Sequence, residues 1–285
     1  MNEQSPKPST TTVVLRVLTS TVIAIIATYI ILVAILLISV RNDLALPGER
    51  FLSQIAPGEV EEEVEEEVDV FDLDSWSTEE LVAQILFVMT PSDDTVGFYI
   101  LARQGIGSIV LSGGNPADDM AEELEYAQHQ APRGIRMLVS SDEEGGEVAY
   151  LSKLISGPLP SPPEIATWSS DQIRDATRAY GEKLANLGSH LVLAPALDLT
   201  VPGAHMAELD RTFSGDPTKV SEVGIAWMNG MHDAGMSVVL KHWPGIGSAP
   251  DTHNTATTIA PLETLEQADL LPFDILIDEG AEMVM

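Results

Sequence analysis

Residues 237–253 read Ser237-Val-Val-Leu-Lys241-His-Trp-Pro-Gly-Ile-Gly-Ser-Ala-Pro-Asp251-Thr-His253. The apolar opening, Ser237–Leu240, is short and does not alternate, as suits a strand buried on both faces. A lysine and a histidine end it, and a loop rich in glycine and proline follows. Similar runs occur around Ile85–Met89, Ser108–Leu111, Met137–Ser140, His190–Ala194 and Glu282–Met285. Helical patterns lie between them at Ala117–Gln130, Asp171–Leu187, Pro217–Ala234 and Leu262–Asp278. Strands alternating with helices predict parallel βαβ units.

An open dinucleotide-binding sheet needs a glycine-rich turn after its first strand, and neither G-x-G-x-x-G nor G-x-x-x-x-G-K-[ST] occurs. Polar residues stand instead where strands end: Asp142 after the third run, Asp198 just past the fourth, Lys241 and His242 after the fifth. Chemistry drawn from the C-terminal ends of several strands is the habit of the (β/α)8 barrel. The expected fold class is therefore α/β, a TIM-barrel type. Six strand-like runs imply about six of eight βα units, an incomplete barrel over residues 76–285.

The segment before it is of another kind. Val17–Val40 is a run of 24 residues without a charge. As a helix it would reach roughly 36 Å, enough for a tilted crossing of a ~30 Å hydrocarbon layer. A signal-peptide core is shorter, about 7–15 residues, and no small-x-small cleavage site follows. The expectation is a retained transmembrane anchor after a short N-terminal tail, residues 1–16. The basic residues flanking the span nearly balance, with Lys7 and Arg16 before it and Arg41 and Arg50 after it. A short inside tail and a large extracytoplasmic domain at the cell membrane is the orientation expected. Residues 41–75 read as an acidic linker, since 10 of the 16 residues in Glu59–Asp74 are carboxylates that repel one another and keep the chain extended.

The whole chain of 285 residues carries a formal charge of -30. Such a polyanion repels phosphates, so nucleic acid is excluded as a partner. With no cysteine, disulfides, thiolate metal sites and cysteine nucleophiles are excluded too. A serine hydrolase is disfavoured by the lack of G-x-S-x-G.

Two constellations carry chemistry. Ser141-Asp-Glu-Glu-Gly-Gly146 places three carboxylates before two glycines at a strand end. Asp142 there suits sugar hydroxyls, while the alternative is an acidic surface turn. In Asp251-Thr-His253 a carboxylate two residues from an imidazole can fix its tautomer and raise the basicity of the free nitrogen, making a general acid/base. A divalent ion held by His242, Asp251 and His253 is the rival, without the H-x-x-x-H spacing that would support it. A satisfied structural histidine is the third possibility. His129, His190, His205 and His232 are read as structural and without partners.

With these residues in view, the chain resembles a known family. Asp142-Glu-Glu-Gly-Gly-Glu147-Val is similar to the D-[QE]-E-G-G-R-V strand end of glycoside hydrolase family 3. Ala194-Pro-Ala-Leu-Asp198 and Arg211-Thr-Phe-Ser-Gly-Asp216-Pro217 resemble its P-x-x-D and R-[SA]-F-x-x-D-P segments. Lys241-His-Trp-Pro-Gly-Ile-Gly247 with Asp251-Thr-His253 resembles K-H-F-P-G-H-G…D-[ST]-H, the signature of the β-N-acetylglucosaminidase branch. The resemblance covers about residues 75–285. It implies a retaining exo-β-N-acetylhexosaminidase that releases terminal N-acetylglucosamine, often from peptidoglycan fragments, and needs no cofactor. The carboxylate pair general among glycosidases is then replaced in part. The resemblance makes His253 the acid/base, oriented by Asp251, and gives Asp142, Arg211, Lys241 and His242 the grip on the sugar.

The chain departs from the pattern at three places. Glu147 and Tyr150 stand where the family has arginines, and Ile246 where it has a histidine. The family's nucleophile is an aspartate after a later strand, beyond Met285. The expectation is a C-terminally incomplete version of a longer enzyme, inactive as these 285 residues. A membrane-tethered sugar-binding protein without catalysis, or a related β-glycosidase, are the alternatives.

Overall fold

In the computed structural model the described residues are 72–116, 118–252 and 260–285. The apolar run 17–40, residues 41–71 of the linker and His253 lie outside them. Among the described residues no helix is long and apolar enough to cross a membrane.

The fold is α/β, with a six-stranded parallel sheet made of β1 (Phe87–Thr90), β2 (Ser108–Leu111), β3 (Leu138–Ser141), β6 (Leu191–Val192), β7 (Ser237–Leu240) and β8 (Met283–Val284). Neighbours follow chain order throughout, β1-β2-β3-β6-β7-β8, and every pairing is parallel. A doubly wound sheet would reverse direction at a switch point; this sheet never does, as a barrel wall requires. A two-stranded antiparallel hairpin, β4 (Glu143–Gly145) with β5 (Val148–Ala149), projects from the end of β3.

Six expected strands are present within a few residues of their expected bounds. Their burial differs from expectation at the margins. The central strands are closed on both faces, whereas Phe87 and Met89 of β1 and both residues of β8 are exposed. These two strands are the outermost of the sheet among the described residues, so each has a neighbour on one side only.

The crossovers are helical: α1 (Thr78–Ile85), α2 (Thr95–Arg103), α3 (Met120–Gln128), α4 (Pro162–Ile165), α5 (Ser170–Asn186), α6 (His205–Glu208), α7 (Pro217–Asp233), α8 (Leu262–Leu265) and α9 (Leu271–Asp278). Helix α1 begins with a capping box. Ser77 Oγ accepts from Glu80 N–H at 3.2 Å, and Glu80 Oε2 accepts from Ser77 N–H at 2.7 Å. Helix α7 starts on Asp216, whose carboxylate accepts from Thr218 N–H at 3.0 Å, with Pro217 preset in its first turn.

Helices α5 and α7 form the main helix contact. Helix α5 buries Ile173, Thr177, Tyr180, Gly181 and Leu184, a stripe at helical spacing. Two glycines let the backbones approach. A Cβ on Gly230 would stand 1.9 Å from Thr177 Oγ1, and one on Gly181 would stand 2.8 Å from the Ala234 methyl. Trp227 is wholly buried and belongs to the same apolar cluster as Leu184, Val192 and Val238. Full burial of such side chains is worth about 1.5–3 kcal/mol each. The packing fixes the helices against the sheet and so fixes where the strand ends point.

Candidate active site

Lys241 follows β7 directly and is almost fully buried, 1% exposed. A buried ammonium demands counter-charges, and β3 and the hairpin supply them. Lys241 Nζ donates to Asp142 Oδ1 and lies 2.6 Å from Glu144 Oε1. Glu144 is shared: Arg211 grips it in two-pronged fashion, Nε at 2.9 Å and Nη2 at 2.7 Å. Burial works to raise the Glu144 pKa, but the hydrogen bonds and positive charge of Arg211 and Lys241 prevail and hold it below the usual carboxylate value. Glu144 also drives the Arg211 pKa upward. Four side chains, from the ends of β3 and β7, the hairpin and a loop, therefore form one charge-balanced floor.

His242 stands next to this floor, oriented by Asp198. The His242 Nδ1 is 2.6 Å from Asp198 Oδ2, and the wholly buried Asp198 also accepts from the Ile246 N–H at 2.7 Å. One carboxylate thus sets both the imidazole and the loop that follows it. That loop can lie so close only because of its glycines. A Cβ on Gly247 would stand 2.1 Å from Leu199 O, and Gly245 adopts φ +115, which favours glycine. The hairpin uses glycine likewise: Gly145 has φ +100, and a Cβ there would meet Pro160 O at 2.3 Å.

Above the floor is a cavity of about 290 Å³, lined by Asp142, Arg211, Lys241 and His242 together with Tyr150 and His205, among others. All four residues expected to grip a ligand are thus brought together. Asp251 is close by: its carboxylate lies 3.7 Å from His205 Nε2, and its neighbours Pro250 and Thr252 line the cavity. His253 lies outside the described residues. Among the described residues no group of histidines and carboxylates could hold a metal ion.

Two carboxylates of the cavity floor were given no role from the sequence. Glu144 and Asp198 stand among quoted motifs, yet their roles as shared counter-ion and histidine holder need the fold to be seen. The reading of His129, His190, His205 and His232 as partnerless is corrected. His129 lies 3.2 Å from Glu125, His232 3.2 Å from Glu282, and His190 Nδ1 3.4 Å from the Val139 N–H. His205 faces the cavity and Asp251. The pairs join residues from separate elements in most cases, which spacing along the chain does not reveal.

A buried lysine clasped by two carboxylates, an arginine locking the second, and a carboxylate-held histidine at one rim make a cleft fit for a polyhydroxylated ligand. The model of the glycosyl hydrolase family 3 N-terminal domain matches residues 77–285. The chain belongs to glycosyl hydrolase family 3.

Within family 3, the chain is similar to β-hexosaminidases. It is 34% identical over 212 residues to the β-hexosaminidase LpqI of Mycobacterium tuberculosis, covering 73% of this chain and 54% of that one. With a β-hexosaminidase of Xylella fastidiosa it shares 38% over 201 residues, 68% of this chain and 56% of the other. The chain thus spans about half the length of the curated relatives it matches. Among solved structures, a family 3 glycosyl hydrolase of Mycobacterium smegmatis superposes with a TM-score of 0.68 at 33% identity. The match covers 75% of this chain and 65% of that one. The parallel sheet described above thus corresponds to the family 3 barrel domain.

Proposed function

We propose that this family 3 chain is part of a membrane-anchored β-N-acetylhexosaminidase acting outside the membrane. It would release terminal β-linked N-acetylglucosamine from cell-wall, peptidoglycan-type glycans with retention of configuration. The observation that carries the reading is the cavity floor, where Lys241, Asp142, Glu144 and Arg211 converge with His242 beside them. Such a floor offers fixed donors and acceptors to sugar hydroxyls without adding net charge to the cleft.

In this mechanism Lys241, Arg211 and His242 donate to the sugar's oxygens and Asp142 accepts from its hydroxyls. The interactions hold the ring still while the glycosidic oxygen leaves. His253, oriented by Asp251, gives a proton to that oxygen and later takes one from water. A retaining mechanism also uses a nucleophilic carboxylate. We assign that role to no described residue. The anchor is residues 17–40, with the acidic linker 41–75 carrying the domain away from the bilayer.

The test pairs calorimetric titration of the purified chain with N-acetylglucosamine and hydrolysis assays on aryl β-N-acetylglucosaminide. Binding of N-acetylglucosamine is the expected result, and its absence would overturn the sugar reading; hydrolysis would place a nucleophile within the chain. Tyr150 at the cavity favours a second reading, a related β-glycosidase or sugar-binding protein of altered preference. Stronger action on aryl β-glucoside, or tighter binding of glucose, would select it.

A further inference from the structure

We infer that Tyr150 is a stacking platform for a second sugar, the one β-linked to the terminal sugar on the cavity floor. The inference deepens the proposed hexosaminidase reading and rests on the cavity being the sugar site.

The hairpin fixes where Tyr150 stands. Val148 and Tyr150 both line the cavity, while Ala149 between them and Leu151 beyond them are buried. That alternation is what extended backbone produces. The Tyr150 N–H donates to Asp142 O at 3.2 Å, and the next amide, Leu151 N–H, donates to the buried Glu143 carboxyl at 2.9 Å. Tyr150 is thereby tied to the residue whose carboxylate receives Lys241. Its ring is set against the floor by backbone bonds and needs no contact of its own to stay there.

Depth separates the ring from the floor. The side chains of Lys241, Glu144, Arg211, Asp142 and His242 are all 24% exposed or less, whereas Tyr150 is 40% exposed. The polar groups thus lie deep and the aromatic ring at the rim.

A pyranose of gluco configuration has two matching characters. Hydroxyls project from its edge, and C–H bonds cover its faces. The edge suits the charged floor. The faces suit an aromatic ring, whose negative π-face attracts polarised C–H bonds and which gains by being covered from water. A terminal sugar gripped at the floor leaves Tyr150 for the ring that follows it. A β linkage leaves the first ring equatorially and carries the second outward, from floor to rim.

The test is calorimetric titration of the full chain with N-acetylglucosamine and with the sulfur-linked form of N,N′-diacetylchitobiose, whose bond resists hydrolysis. The readout is the ratio of the two affinities, which partial unfolding of a variant does not alter. Wild type is expected to bind the disaccharide about five- to tenfold more tightly than the monosaccharide. Tyr150→Ala should bring the ratio to about one, and Tyr150→Phe should keep it, since the ring and not the hydroxyl does the stacking. A wild-type ratio near one, an unchanged ratio in Tyr150→Ala, or equal loss in Tyr150→Phe would each overturn the inference while leaving the sugar site standing. Failure of both sugars to bind wild type would overturn the sugar site, and the inference with it.

Discussion

The Tyr180 hydroxyl, on helix α5, donates to the Glu143 carboxyl at 2.5 Å, pinning the hairpin that carries Asp142 and Glu144 to the main helix layer. The Leu151 N–H donates to the other Glu143 oxygen at 2.9 Å. Glu143 is wholly buried, and burial pushes its pKa up to about 7, against the lowering effect of these donors.

A pH dependence of stability follows. The folded state holds the Glu143 proton more tightly than the unfolded chain, whose carboxyl titrates near 4.5. Its contribution is full below about 4.5 and is lost as pH rises through about 7. The loss is on the order of 3 kcal/mol. Urea unfolding of wild type and Glu143→Gln at pH 5 and pH 8.5 measures it. The difference between the two proteins should move in favour of the variant at the higher pH. Parallel curves would contradict the assignment.

Glu144 anchors two cations at once. Glu144→Ala is expected to destabilise the fold by about 3–5 kcal/mol, because Arg211 loses its two-pronged partner and Lys241 one of its two carboxylates. Pairing the change with Arg211→Leu should cost less than the sum of the single changes. Chemical denaturation of all four proteins closes the cycle, and strict additivity would refute the shared clasp.

Asp198→Asn keeps the shape but removes the charge that holds His242. Sugar binding should weaken by about tenfold, with a stability loss near 1–3 kcal/mol from the buried hydrogen bonds. Calorimetric binding beside a thermal melt separates the two effects. A loss of stability with unchanged affinity would make Asp198 a scaffold residue alone.

Gly247→Ala would place a methyl 2.1 Å from Leu199 O, backbone that cannot swing aside. The loop carrying Ile246 and Pro250 should shift, costing about 1–3 kcal/mol and most of the sugar affinity. Gly203→Ala, which meets nothing within 4 Å, is the comparison for the added methyl, although its φ of +79 brings a strain of its own. Full affinity in the Gly247 variant would show that the loop does not shape the cavity.

Much of the architecture was legible because its signal is local. Runs such as Ser237–Leu240 and Ser108–Leu111 became strands at the expected residues. Helix α2 was missed, since its apolar residues run nearly all round and obscure the periodicity. Its Asp94 cap, accepting from Gly97 N–H at 2.9 Å, was the available cue. The stretch Leu262–Asp278, read as one helix, is two, with Pro272 beginning the second. A proline cannot donate within a continuing helix, and it favours a first turn. The hairpin β4–β5 escaped notice because its burial is that of carboxylates and glycine. At the cavity, Asp142, Lys241 and His242 stood out by strand-end position and Arg211 by resemblance, while the pairing of Glu144 with Arg211 and of Asp198 with His242 depends on contacts across 67 and 44 residues of chain.

The shared clasp around Glu144 also limits how this cleft can change over generations. Lys241, Arg211, Asp142 and Glu144 cannot be exchanged singly, because each replacement strands a partner already cut off from water. A lineage exploring new ligands would meet steep fitness valleys at the floor and gentle slopes at the rim. Novelty should therefore accumulate at Tyr150, His205 and Ile246, while the floor passes unaltered between descendants of different appetite.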